Sequence, residues 1–244
     1  MEHDEHGTPD ENVAPPTMER VIARARVLAA VAKRAHLDGI RKQVDDPQLQ
    51  RERILAWVHS TGISYEVEPD ELTLLELPIG KLNLRQIRYS WRIEGVGVLV
   101  WALGVGEFPA DQQLCKHGLL EALGAFDDNS TAIPLEERAR MQPVEALVDR
   151  QLHMLNLHWR LRDLHANPRH YDFVEGCRNS WLGPIDAESH YEIVDRDLAI
   201  DSVPVFYADL DRVAQVTAAV AERHIAINWL MGHHRLYSAV GNDT

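Results

Sequence analysis

The sequence predicts a mainly α fold, a single irregular multi-helix domain with at most a few short strands. Three observations carry that expectation. Several segments place apolar residues three and four positions apart behind a residue able to cap a helix. Alternating runs are short and weak. The chain of 244 residues is 45% hydrophobic and 26% charged, the balance of a chain that buries a core.

The opening, MEHDEHGTPDENVAPPT, is acidic and has no apolar anchor, so residues 1–16 read as a disordered acidic tail and residues 17–240 as a single helical domain. Thr17 can cap a helix whose apolar positions Val21, Ala25, Leu28, Ala32 and Ala35 pack while arginines fill the opposite face. Asp46-Pro47 is a cap with a first-turn proline and opens a helix through Ile54 and Trp57 that stops at Gly62. Residues 63–82 alternate only weakly, which suits a short strand or an extended loop. Asn83 caps the next helix, which runs to Gly104, and another is expected from Asp111 to about Phe126 before the loop DDNSTAIP. Pro143 opens a long helix that ends before Asn167-Pro168. Residues 167–208 read as irregular, with one short strand possible in DLAIDSVPVFY, and Asp209 caps a last helix that ends at Gly232.

Charge narrows the classes of function. Twenty-five lysines and arginines against 38 aspartates and glutamates leave a net charge of −13. Nucleic acid and anionic membranes both require basic patches, so neither is expected as a partner, whereas a basic protein would suit the charge. The most apolar run, GVGVLVWALGVG at 95–106, is about half the roughly 20 residues that span a bilayer and reads as a buried core helix. Two cysteines, Cys115 and Cys177, are too few for a disulfide scaffold, which points to a cytoplasmic protein.

Three stretches, RYSWRIEGVGVLVWALGVGEFP (88–109), EALVDRQLHMLNLHWRLRD (145–163) and AERHIAINWLMG (221–232), together resemble a largely uncharacterised bacterial family, the domain of unknown function 4272. The Trp-Ala-Leu-Gly ending of the first and the Glu-Arg-His and Asn-Trp-Leu of the third weigh most. The resemblance spans roughly residues 50–232, leaves the first helix unexplained, and implies no activity, cofactor or catalytic residue.

Motifs with a chemistry of their own are missing: the chain has no G-x-G-x-x-G, P-loop, H-E-x-x-H, G-x-S-x-G or calcium loop. No cofactor and no metal site is therefore expected, and the balance leans away from an enzyme. His3 and His6 sit in the tail with no geometry to hold a metal. Asp149 and His153 stand four apart, as an ion pair or a metal pair would. His233 and His234 suit the carboxyl end of a helix, and Cys115 with His117 two residues on points its side chains apart.

A more informative pattern lies along the helix faces. Glu94 interrupts the stripe Leu84, Ile87, Trp91, Val98, Trp101; His158 and Arg162 end the stripe Val144, Leu147, Gln151, Leu155; His224 and Asn228 interrupt Leu210, Val213, Thr217, Val220, Met231. A carboxylate on a buried face needs cations or donors, so Glu94, His158, Arg162, His224 and Asn228 are expected to share one polar cluster walled by Trp159 and Trp229. Such a cluster either fixes the register of three helices or lines a cleft for a small polar ligand or acid–base chemistry.

The leading expectation of function is non-catalytic protein–protein interaction, in one concrete form an immunity protein that neutralises a toxin. The alternative is an enzyme or small polar ligand binder built on the Glu94 cluster. A third is an oligomeric component that uses the arginines of the first helix as its contact face.

Overall fold

A computed structural model describes residues 13–116, 118–124, 126, 134–180 and 184–241. The expected tail lies outside the described residues up to position 12, as do His3, His6, His117 and most of DDNSTAIP. Within residues 13–16, the Val13 carbonyl oxygen lies against the turn at Gly232, where an added Cβ would come within 2.2 Å of it.

The architecture is mainly α. Helices α1 (Met18–Gly39), α2 (Pro47–Ser60), α3 (Pro69–Glu76), α4 (Leu84–Ile87) and α5 (Arg92–Ala102) form the first half. The short turns α6 (Leu119–Ala122) and α7 (Leu135–Arg138) lead to the long α8 (Val144–Ala166). Then come α9 (Phe173–Arg178), α10 (Ala187–His190), the strands β1 (Ile193–Val194), β2 (Asp197–Ile200) and β3 (Val203–Pro204), and finally α11 (Leu210–Leu230).

The long helices pack in the order α1, α5, α11, α8, each against the next. Helix α5 sits between two neighbours and is hydrophobic all round, as an interior helix must be; Val96, Val98, Leu99, Val100 and Ala102 are fully buried. The approach of α1 and α5 is close enough that a Cβ on Gly95 would lie 3.4 Å from Leu28 and 2.3 Å from the Tyr237 hydroxyl.

Helix α1 is covered on both sides. One face joins the central core through Val21, Ala25 and Leu28, and the other packs on α2 and α3 through Val27, Val31, Ile54, Val58 and Leu74. The arginine face expected to be open is therefore inside: Arg24 and Arg34 are 0% exposed. Arg24 donates to Glu68 at 3.0 Å and to Glu71, and Arg34 donates to Asp38 at 3.0 Å and to the carbonyls of Leu77 and Pro78. A face committed to internal carboxylates cannot serve as the oligomer contact that the sequence suggested.

The boundaries follow local chemistry. Thr17, Asp46, Asn83 and Asp209 each accept a backbone N–H from their own first turn, and Gly104 and Gly232 end their helices at φ +67° and +80°. Residues 69–76, expected as strand or loop, are helix α3, because Glu68 and Glu71 make a reciprocal capping box before Pro69 has locked the first turn. The continuous helix expected from 84 to 104 is broken by a tighter turn at Arg88–Trp91, which leaves Trp91 half-buried. Among the described residues of the helix expected over 111–126, α6 forms and 111–116 do not, since the backbone of 110–115 is drawn into hydrogen bonds with Glu94 and Arg223. Where one strand was expected there are three in antiparallel order β1-β2-β3, with Ile193 opposite Leu198 and Ile200 opposite Val203. Both hairpin turns, Asp195-Arg196 and Asp201-Ser202, carry two positive φ angles without glycine, a two-residue geometry matched to strand twist.

Candidate functional site

The residues expected to form one cluster separate into three groups. Glu94, in the first turn of α5 and 1% exposed, meets Arg223 of α11 rather than a histidine. Its Oε2 accepts from Arg223 Nε at 3.0 Å and Nη2 at 2.6 Å, and its Oε1 accepts from the Cys115 N–H at 2.9 Å. The remaining Arg223 donors go to the carbonyls of Ala110, Asp111 and Gln113. A buried pair of this kind is stable only when its other lone pairs and protons are matched, and here the strap 110–115 matches them. Burial, with Glu94 beside it, pushes the Cys115 thiol up to about 12, so the thiol stays protonated and unreactive at neutral pH.

The second group lies where α8 crosses α11. His158 and His224 are 3% and 1% exposed, and their Nδ1 atoms stand 3.1 Å apart, a contact that needs one ring to donate and the other to accept. Burial pushes both down, His158 to about 4 and His224 to about 3, with the Arg162 charge adding to each. Arg162 itself is on the exposed side of α8. In the third group Gln151 donates to Asn228 at 2.9 Å and faces His233 Nε2 at 2.8 Å, while Asn228 donates to the Gly241 carbonyl at 3.3 Å. The His233 side chain therefore joins a polar belt, while its backbone N–H caps the Asn228 carbonyl at 3.1 Å.

The two tryptophans do not wall a common cluster. Trp229 is fully buried near α1, with the Arg20 guanidinium 5.2 Å from its ring and the Tyr237 ring 5.9 Å away. Trp159 is half-buried and meets Tyr171 edge-on at 5.4 Å. Arg223 was missed by sequence reasoning although it stands beside His224 in the Glu-Arg-His run; a third consecutive polar residue inside an apolar helix is a signal of buried pairing.

A cleft of about 580 Å³ opens elsewhere, between the amino-terminal half of α8, the end of α5 and the segment 184–191. His153, 8% exposed, lines it, and its Nε2 bonds Asp111 Oδ1 at 2.8 Å instead of pairing with Asp149 four residues earlier. Its Nδ1 has no hydrogen-bond partner among the described residues. The ring stacks on Tyr191 at 4.6 Å with planes 14° apart, and the Tyr191 hydroxyl donates to the His153 carbonyl at 3.1 Å. Trp101 forms another wall and meets Phe108 edge-on at 5.0 Å, and the Arg150 guanidinium lies 4.7 Å from the Phe108 ring. Asp149 and Asp186 complete the charged lining; Asp186 accepts from the Ser189 hydroxyl, which holds its carboxyl below the usual range. Among the described residues, no group of three or more His, Cys, Asp or Glu side chains is placed to hold a metal ion, and no helix is long and apolar enough to cross a membrane.

A family model described as "Domain of unknown function (DUF4272)" matches residues 7–173. The chain belongs to the DUF4272 family. The match includes α1, which the sequence resemblance had left outside, and stops before α11, on which the third resembling stretch lies. Arg223 and His224 therefore stand beyond the DUF4272 match, while their partners Glu94 and His158 stand within it. No curated protein and no solved structure matches the chain.

Proposed function

We propose that this DUF4272 protein works without catalysis, by binding a basic protein partner. The observation that carries this reading is an exposed apolar lip set among carboxylates. Val203, Phe206, Tyr207 and Leu210 are 39%, 38%, 66% and 80% exposed, and the Phe206 and Tyr207 rings meet at 4.9 Å. Asp201, Asp209 and Asp211 lie exposed in the same stretch. Contiguous aromatic and aliphatic exposure is the composition of an interface core, and an acidic rim on a chain of net charge −13 steers and orients a cationic partner. An immunity protein that neutralises a basic toxin in the cytoplasm is one concrete form. The alternative, a small polar ligand held by Glu94 and its neighbours, has less support because both Glu94 oxygens are already taken by Arg223 and Cys115.

The test is capture of stoichiometric partners by the full chain, compared with Tyr207→Asp and Leu210→Asp. Support requires a basic partner that is lost on either change and bound more weakly at high salt, with melting temperature unaltered. A chain that captures nothing dependent on these residues overturns the proposal.

A further inference from the structure

Asp149 and Arg150 are neighbours on α8 and both line the 580 Å³ cleft. Successive residues on a helix point about 100° apart, so they do not pair with each other. Neither has another ion-pair partner among the described residues: Arg150 rests on the Phe108 ring, and the cation nearest Asp149 in sequence is Arg150 itself. Beside them, His153 is more than nine-tenths buried and its Nε2 is held by Asp111, so the ring serves as wall.

An anion-binding site would present donors alone, and a cation-binding site acceptors alone. This cleft presents a guanidinium and two carboxylates between the aromatic walls Trp101 and Tyr191. We propose that it binds a small zwitterion of the amino-acid class, whose carboxylate pairs with Arg150 and whose ammonium pairs with Asp149. The planar guanidinium suits a carboxylate in a two-pronged contact. Asp186, which accepts from the Ser189 hydroxyl, adds negative potential to the same cleft. The cleft volume lies within the range of about 300 to 1,000 Å³ common to small-molecule sites. The site is independent of the Phe206 lip, and neither proposal needs the other.

The test uses the full chain and the free L-amino acids singly, each compared with its methyl ester, which lacks the carboxylate, and its N-acetyl form, which lacks the ammonium. At least one free amino acid raises the melting temperature, and calorimetry shows both blocked forms of it binding about tenfold or more weakly. Arg150→Gln and Asp149→Asn weaken the free amino acid to a similar degree; both side chains reach solvent, so both variants fold. The comparison of blocked and free ligands reads the same chemistry on the unaltered chain. Flat melting curves with every amino acid at about 10 mM, ten times a Kd of about 1 mM, overturn the proposal, as does equal binding of ester or N-acetyl form.

Discussion

Two buried charged contacts share the strap 110–115 and end differently. At Glu94 and Arg223, oxygens and guanidinium nitrogens are matched by side chain or backbone, with Asp111 contributing its carbonyl. At His153, Asp111 contributes its carboxylate instead, the other ring nitrogen is buried without a partner among the described residues, and the ring backs a cleft lined by Asp149 and Arg150. A saturated pair has nothing left to offer a ligand and serves to fix three elements in register. The cleft beside the second contact keeps, in Asp149 and Arg150, recognition capacity that the fold itself does not consume.

The sharpest way to break this comparison is at the saturated pair. Arg223→Ala leaves the Glu94 carboxyl buried with one backbone donor, and we expect a loss of about 3 to 5 kcal/mol in denaturant titration. Glu94→Ala should cost as much from the other side. A loss below about 1 kcal/mol, the value of an exposed pair, would mean that water reaches the pair and that it resembles the cleft after all.

The close approach of Tyr237, beyond α11, to α5 gives the next effect. Gly95→Ala puts a methyl group 2.3 Å from the Tyr237 hydroxyl in a packed core, and overpacking of this kind costs about 1 to 3 kcal/mol. An unchanged denaturation midpoint would place Tyr237 farther from α5 than described.

The His158–His224 contact predicts a pH dependence. Both rings are held neutral in the fold, at about 4 and about 3, against about 6.5 when unfolded. The unfolded chain then binds more protons between these values, so stability complete above pH 6.5 declines as pH falls toward 4. The slope is about 1.4 kcal/mol per pH unit for each histidine. The double variant His158→Gln, His224→Gln should flatten this part of the curve. Equal slopes in variant and parent would assign the acid loss to carboxylates.

The smallest effect on stability is expected at the lip. Tyr207→Ser removes an exposed ring and should move stability by no more than about 0.5 kcal/mol while lowering partner capture. A large loss of stability would show that the lip packs on the domain and is not an open surface.

Much of the fold was legible because its signals are local. Caps at Thr17, Asp46, Asn83 and Asp209 and terminating glycines at 104 and 232 act within one turn, so they read from sequence directly. Helix α3 was missed because glutamate is an uncommon cap, and the helix expected over 111–126 failed because distant Arg223 competes for its carbonyls. The same contrast governs the candidate site. Periodicity marked Glu94, His158, His224 and Asn228 as polar residues on buried faces, and each is buried. It could not choose their partners.

What the sequence by itself determined is the mainly α character, the ends of the long helices, and the presence of charge inside the core, since these depend on spacing and side-chain chemistry along one segment. Only the tertiary structure decided which charge meets which. Arg223 and Glu94 are 129 positions apart, and Asp111 and His153 are 42 apart. Helix periodicity states which way a side chain faces but carries no information on which helix it faces, and that choice belongs to the packing of the whole chain.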